Sequence, residues 1–232
     1  SCPTAPDRVG EAYFCSSEAQ IDEAVSRCPL YVLKALWSSS GRGVMMLQTS
    51  SSGQSRRLCS SFLKHSGGLV IEPQYDKVQD FAMEFWSDGH GTVTFAGYSF
   101  FRVEYGRYVA NTIASPSVVQ SMIMARPEAL SEVRIHLEKT LSAVIGEAYT
   151  GPLGVDMMMV KHDGRMKIHP CVEINLRMNM GWVSLILADR VLKAGKTALL
   201  HSDYQRPGVL FADHQSRPKA RFSAGRLESG YL

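Results

Sequence analysis

The stretch HPCVEINLRMN, residues 169–179, has the alternation of a β-strand with unlike faces. In an extended chain, side chains two apart share a face, so Glu173, Asn175 and Arg177 project together, with His169 and Cys171 on their side. Val172, Ile174 and Leu176 point the other way, and a core is expected to receive them. A carboxylate and an amide oxygen at this spacing can ligate a hard cation. Arg177, one step further, can hold a phosphate or acyl oxygen with its planar fork. The preceding strand offers a second carboxylate. If Asp163-Gly164 makes a two-residue hairpin turn, Asp156 falls opposite Cys171 and diagonal to Glu173 on the same face. A slip of one residue would send it to the other face.

A second chemical stretch is YVLKALWSSSGRGVMML, residues 31–47. A Walker A loop places its lysine after the glycines, at a helix start. Here Lys34 ends an apolar run and Ser38-Ser39-Ser40-Gly41-Arg42-Gly43 follows. Such a loop serves equally as a phosphate lid and as a flexible hairpin turn. Taken singly, Lys34 can also be a snorkelling surface residue, and the Glu173 face a solvated strand or a structural ion pair.

These residues need elements to position them. Ile21, Ala24, Val25 and Cys28 share one helical face in SEAQIDEAVSRC (17–28), with Ser17 as cap. PLYVLKAL reads as a strand paired with GVMMLQ across the Ser/Gly loop. SRRLCSSFLKH (55–65) is a second helix, stopped by Gly67-Gly68, and GLVIEPQY opens another strand. Residues 80–112 are strand-rich, with turns at Asp88-Gly89 and Gly106. Residues 126–149 form a long helix with Leu130, Val133, Leu137, Leu141, Val144 and Ile145 toward the core. PLGVDMMMV and RMKIHPCVEINLRMN are the two strands of the metal-face hairpin, and 180–195 is a helix ending at Gly195. From 196 onward periodicity is weak. Short strands mixed with helices predict an α+β protein of two packed units.

Bulk properties exclude several classes. The 232 residues are 45% hydrophobic and 20% charged, with a formal charge of +3, an ordinary globular balance. No run of like charges marks a nucleic-acid arm, and no apolar stretch reaches the length of a membrane span. Five scattered cysteines without a C-x-x-C pair fit a reducing compartment, so a cytoplasmic setting is expected. Cys171 and His169 are expected to be structural rather than catalytic.

Four pieces in order, VLKALWSSSGRGV, LVIEPQYDKVQD, GVDMMMV and VEINLR, resemble the ATP-grasp superfamily of carboxylate–amine and carboxylate–thiol ligases. The resemblance spans about residues 18–190. It implies two α+β subdomains with mostly antiparallel sheets holding ATP between them. The expected boundaries are 1–75 for the small subdomain with the lid, 76–195 for the large subdomain with the metal strands, and 196–232 for a tail. In such proteins a strand lysine reaches the phosphates and a Gly/Ser loop closes over them, matching Lys34 and Ser39, Ser40, Gly41, Arg42 and Gly43. Glu72, Pro73 and Tyr75 match the adenine hinge, with Pro73 offering its carbonyl and Tyr75 its N–H, and Asp80 matches the ribose acid. Asp156, Glu173 and Asn175 match the Mg²⁺ ligands, with Mn²⁺ as an alternative. Arg177 matches the arginine on the transferred phosphate and, with Lys34, carries the catalytic role.

The implied activity is phosphorylation of a small-molecule carboxylate by ATP, followed by attack of an amine or other nucleophile on the acyl phosphate. The resemblance leaves open an ATP-binding regulatory module without ligase activity, or an ATP-dependent kinase. Relatives usually carry a preceding N-terminal domain and an upstream phosphate lysine, so the chain is expected to be a fragment, with that domain of the parent protein as its partner. Neither nucleic acid nor membrane is an expected partner, and the oligomeric state is not legible.

Overall fold

The computed structural model describes residues 7–36, 43–48, 52–104, 107–190, 198–201, 221–223 and 226–229. The chain divides into two compact units, residues 1–77 with 160–169 and residues 78–159 with 170–232. The first contains β1 (Tyr13–Cys15), α1 (Glu18–Arg27), β2 (Leu30–Ala35), β3 (Val44–Gln48), α2 (Ser52–Ser66) and β4 (Leu69–Pro73). The chain continues through β5 (Asp76–Asp88), β6 (Val93–Glu104), β7 (Arg107–Ile113), α3 (Pro116–Met122) and α4 (Pro127–Ile145). It ends with β8 (Thr150–His162), β9 (Arg165–Asn175), α5 (Met180–Arg190), β10 (Ala198–His201), β11 (Arg221–Ser223) and β12 (Arg226–Ser229). This is an α+β architecture. The expected turn at Gly106 and helix end at Gly195 lie outside the described residues.

In the first unit the sheet order is β1-β4-β2-β3. Ser17 caps α1 by accepting from the Gln20 N–H, and its inner residues Ile21 and Ala24 join Cys15, Cys28, Tyr31, Leu33, Cys59, Leu69 and Ile71 in one core. Period-two alternation then decides what the other sheet face carries. With Tyr31 and Leu33 turned into the core, Lys34 is on the opposite face. The β2–β4 register sets Val32 against Glu72 and Lys34 against Val70, so Lys34 and Glu72 are diagonal neighbours there.

The second sheet runs β10-β7-β6-β5-β8-β9. Phe81, Ala82, Met83, Glu84 and Phe85 are buried in succession along β5, as a strand covered on both faces requires. Helix α4 buries Ala129, Leu130, Val133, Leu137 and Leu141. The β8–β9 turn is the expected two-residue one, with φ of 51° at Asp163 and 71° at Gly164, the left-handed pair of a type I′ hairpin. Among the described residues no helix is long and apolar enough to cross a membrane.

Four expectations are corrected. Val144 is 71% exposed, because the buried stripe of α4 ends at Leu141. The region after 196 contributes strands β10, β11 and β12, each too short to show a period. The short β1 and α3 were likewise not anticipated. Ile174 and Leu176 are each 45% exposed rather than core, and Val172 is only half-buried. β9 lies at the sheet edge, where alternation says which residues share a face but not whether that face is covered.

Replacing fully buried Leu130 by Ala is expected to destabilise the protein by about 2–5 kcal/mol. Val144→Ala on the same helix should change stability by no more than about 0.5 kcal/mol. Urea unfolding of both variants measures the contrast.

Candidate functional site

In the first unit the strand lysine has a partner of its own. Lys34 Nζ lies 2.6 Å from Glu72 Oε2, with the Glu72 side chain 9% exposed. Burial pushes the Glu72 carboxyl above its usual range, and the Lys34 charge works against that. The ion pair joins the expected phosphate lysine to the first hinge residue. Past it, the Gln74 N–H donates to the Leu30 carbonyl, 3.0 Å, and carries the ladder one residue beyond Pro73. Tyr75 is held by its side chain. Its hydroxyl accepts from the Glu11 N–H, 3.3 Å, and its ring meets His162 and His169 edge-on at 5.7 and 5.4 Å. The hinge backbone is therefore braced from both ends. At the loop exit Gly43 has φ of 77°, and its carbonyl accepts from the Ala35 N–H, 2.9 Å. Ser38, Ser39, Ser40, Gly41 and Arg42 lie outside the described residues.

His169 is buried, 2% exposed, and neither ring nitrogen has a hydrogen-bond partner among the described residues. Burial, reinforced by the nearby Lys34 charge, lowers its pKa to about 4. It packs as a neutral ring edge-on against Tyr75. Cys171, by contrast, is exposed, another result of its position on an edge strand.

In the second unit three of the residues expected on the metal face, Asp156, Asn175 and Arg177, come together. Asn175 Nδ2 donates to Asp156 Oδ2 at 3.1 Å, and Asn175 Oδ1 accepts from Arg177 Nη2 at 2.9 Å. The amide thus bridges an acid and a guanidinium with its polarity dictated by both. Asp156 therefore reaches further along β9 than the Cys171 and Glu173 positions that the turn alone suggests for it. The run of buried Ile168, His169 and Pro170 breaks the alternation of β9 between turn and site, and Pro170 has no N–H for the ladder. Burial drives the Asp156 carboxyl up to about 7, and the neighbouring Glu173 and Glu84 charges add to this; Asn175 and Arg177 oppose it. Glu173 is exposed, and Asp80 on β5 is half-buried.

Sequence reasoning missed Glu84, Ser99 and Asn179. Glu84 is 1% exposed and accepts from Ser99 Oγ at 2.7 Å and Asn179 Nδ2 at 2.9 Å. Burial carries its carboxyl up to about 7 against those two donors. The available signal was a single acid inside the apolar run FAMEFW. Among the described residues no three His, Cys, Asp or Glu side chains cluster at metal-binding spacing.

No family model and no curated protein matches the sequence. Solved structures do match in fold. One is N5-carboxyaminoimidazole synthetase from Staphylococcus aureus complexed with ADP, at 13% identity and TM-score 0.51, over 75% of this chain and 41% of that one. Another is the biotin carboxylase domain of Hydrogenobacter thermophilus 2-oxoglutarate carboxylase with MgADP, ADP and bicarbonate, at 15% identity and TM-score 0.52, over 70% and 34%. A third is phosphoribosylamine–glycine ligase from Thermotoga maritima, at 17% identity and TM-score 0.51, over 76% and 45%. The chain spans less than half the length of each of these solved chains.

His169 has a pH signature. Its folded pKa is about 4 against an ordinary 6.5, so between those values the unfolded chain binds the proton first. Its share of stability is present above pH 6.5 and is lost as pH falls through 4, on the order of 3 kcal/mol in all. Asp156 and Glu84, raised to about 7, contribute in the opposite sense, lost as pH rises. The difference between wild type and His169→Phe isolates the histidine. That difference should slope between pH 6.5 and 4 and be flat above, as read by urea unfolding across the range.

Proposed function

We propose that this chain, whose fold is that of ATP-grasp enzymes, is the nucleotide-binding part of an ATP-dependent carboxylate ligase. The observation that supports this most directly is the hydrogen-bonded run Asp156–Asn175–Arg177. An acid, an amide and a guanidinium are linked in series; with the amide turned so that its oxygen joins Asp156, two hard ligands would lie beside the guanidinium, which supports a cation held next to a phosphate.

The donor set fits Mg²⁺, with Mn²⁺ as the alternative, because every candidate ligand atom on Asp156, Glu173 and Asn175 is a hard oxygen. The fit also rests on charge: the Asp156 carboxyl is raised by burial and by neighbouring carboxylates, so a positive charge is what its surroundings lack. When bound, the ion withdraws charge from the phosphate oxygens of ATP. Lys34 donates to the phosphates, the Pro73 carbonyl and Tyr75 N–H read the adenine edge, and Asp80 accepts from the ribose hydroxyls. Arg177 pairs with the phosphate as it moves. A substrate carboxylate oxygen attacks the γ-phosphorus and ADP leaves. An amine or other nucleophile then attacks the acyl carbon, and phosphate leaves with the bond to carbon broken.

The partners in this reading are a small-molecule carboxylate, its nucleophile, and an N-terminal domain of the parent protein that helps select them. This reading takes a reducing, cytoplasmic setting, the one expected for scattered cysteines without a C-x-x-C pair.

Thermal unfolding with ATP and Mg²⁺ together, each alone, and GTP with Mg²⁺ tests the binding. At about one hundred times the dissociation constant a ligand stabilises by roughly 2.7 kcal/mol. The expected rise needs both ATP and Mg²⁺, is lost in Lys34→Ala and shrinks in Glu173→Gln. Because Lys34→Ala leaves the buried Glu72 unpaired, the readout is the ligand-induced shift of each variant against itself. Trapping an acyl hydroxamate with the parent protein separates a ligase from a kinase. ATP binding without any ATP consumption by the parent would mark a regulatory module instead.

A further inference from the structure

Three exposed residues, Leu176, Arg177 and Met178, connect β9 to α5. An asparagine stands at each end of this span, and each is tied to a carboxylate. Asn175 holds Asp156. Asn179 donates Nδ2 to Glu84 Oε2 at 2.9 Å and accepts, through Oδ1, from the Trp182 N–H at 2.9 Å. The Asn179 side chain thereby caps α5 while remaining bonded to the central strand β5. The cap is secured further on, where Trp182 Nε1 donates to the Leu153 carbonyl on β8, 3.1 Å. Arg177 itself spans the connection, with Nη2 on Asn175 Oδ1 at 2.9 Å and Nη1 on the Met178 carbonyl at 3.4 Å.

The Glu84 carboxylate sits in a fitted socket. A Cβ at Gly181 would strike its Oε1 and the Ser99 hydroxyl, and a Cβ at Gly154 would strike its Oε2 and the Asn179 amide. Both oxygens are committed to donors, Ser99 Oγ at one and Asn179 Nδ2 at the other. No packing requirement of an apolar strand calls for an acid here; a leucine would fill such a core position. The acid is matched to Asn179.

We propose that Glu84 is a positioning residue for Arg177: it fixes the far end of the β9–α5 connection through Asn179, so that the guanidinium is presented from a rigid span. This deepens the reading of Arg177 as the phosphate-facing arginine and rests on that reading for its purpose. The geometry it claims can be tested without nucleotide.

The hydrogen-bond polarity supplies the test. Glu84 accepts at both oxygens, but in Glu84→Gln alone the Ser99 hydroxyl can turn to accept the new N–H while the Asn179 bond survives, so the bond is broken from the Asn179 side. Asn179→Asp sets one carboxylate against another. The double variant exchanges acid and amide. The new amide at position 84 then donates to the new carboxylate at position 179, which still accepts from the Trp182 N–H. Asn179→Ser keeps a helix cap while being too short to reach Glu84, and serves if Asn179→Asp does not fold.

The experiment is ¹⁵N NMR of the guanidinium groups in the whole chain, with the Arg177 signals assigned by their loss in Arg177→Lys. Wild type should show slowed rotation about the Arg177 Cζ–Nη bonds. Asn179→Asp and Asn179→Ser should each speed it by about tenfold with the backbone spectrum of the strands retained. The Glu84→Gln/Asn179→Asp pair should return it to within about twofold of wild type. Arg177 rotation unaltered by Asn179→Asp and by Asn179→Ser overturns the proposal, as does a double variant no better than Asn179→Asp. The same variants titrated with ATP and Mg²⁺ should weaken and recover binding in parallel. Guanidinium coupling in a chain that binds no ATP would uphold the positioning and sink the nucleotide reading alone.

Discussion

A carboxylate taken out of water must be answered by donors or by positive charge, or it gives up its ionisation. Three acids among the described residues show how differently that constraint can be met. Glu72 is answered by an ammonium, Lys34. Glu84 is answered by neutral donors, a hydroxyl and an amide. Asp156 is answered by one amide and a more distant guanidinium, while two other acids work against it. In none of the three is burial fully offset: all stay above their usual range, Glu84 and Asp156 at about 7, and Asp156 differs in that neighbouring acids add to the effect of burial.

The two sheets are arranged so that these answers are available. In the first unit, helices α1 and α2 pack over a core that takes one face of β2 and β4, leaving the other face to the Lys34–Glu72 pair. In the second, β5 lies between β6 and β8, so an acid on it can reach Ser99 on one neighbour while glycine at 154 on the other makes room. Edge and centre have different uses. β9, at the edge, displays Glu173 and leads into Arg177. β5, in the centre, holds an acid that is bonded within the protein.

How much of this was legible in the sequence follows from the range of each interaction. The Asp163-Gly164 turn is a local matter of left-handed φ, and the residues themselves announce it. Asn175 with Arg177 is a two-residue relation at the end of one strand and was equally readable. The Asp156–Asn175 contact was half readable: parity put both on one face, but the alternation breaks around Pro170, and the contact falls further along the strand than the turn suggests. Glu84 with Asn179 is a pairing of residues far apart in the chain, and nothing in either neighbourhood names the other. The exposure of Ile174 and Leu176 was illegible for a different reason. Alternation encodes the faces of a strand, whereas cover is supplied by distant elements.

The socket of Glu84 also bears on how such a sequence can change over time. Positions 84, 154 and 181 are remote in the chain, yet the acid at one denies a side chain to the other two. While Glu84 stays, any replacement of Gly154 or Gly181 is blocked at the first step. Once Glu84 is lost that clash goes, while a side chain at 154 still meets the Asn179 amide and one at 181 the Ser99 hydroxyl. Loss of the acid is therefore necessary but not sufficient for a side chain at either glycine, and the history of positions 154 and 181 is tied to Asn179 and Ser99 as well as to Glu84.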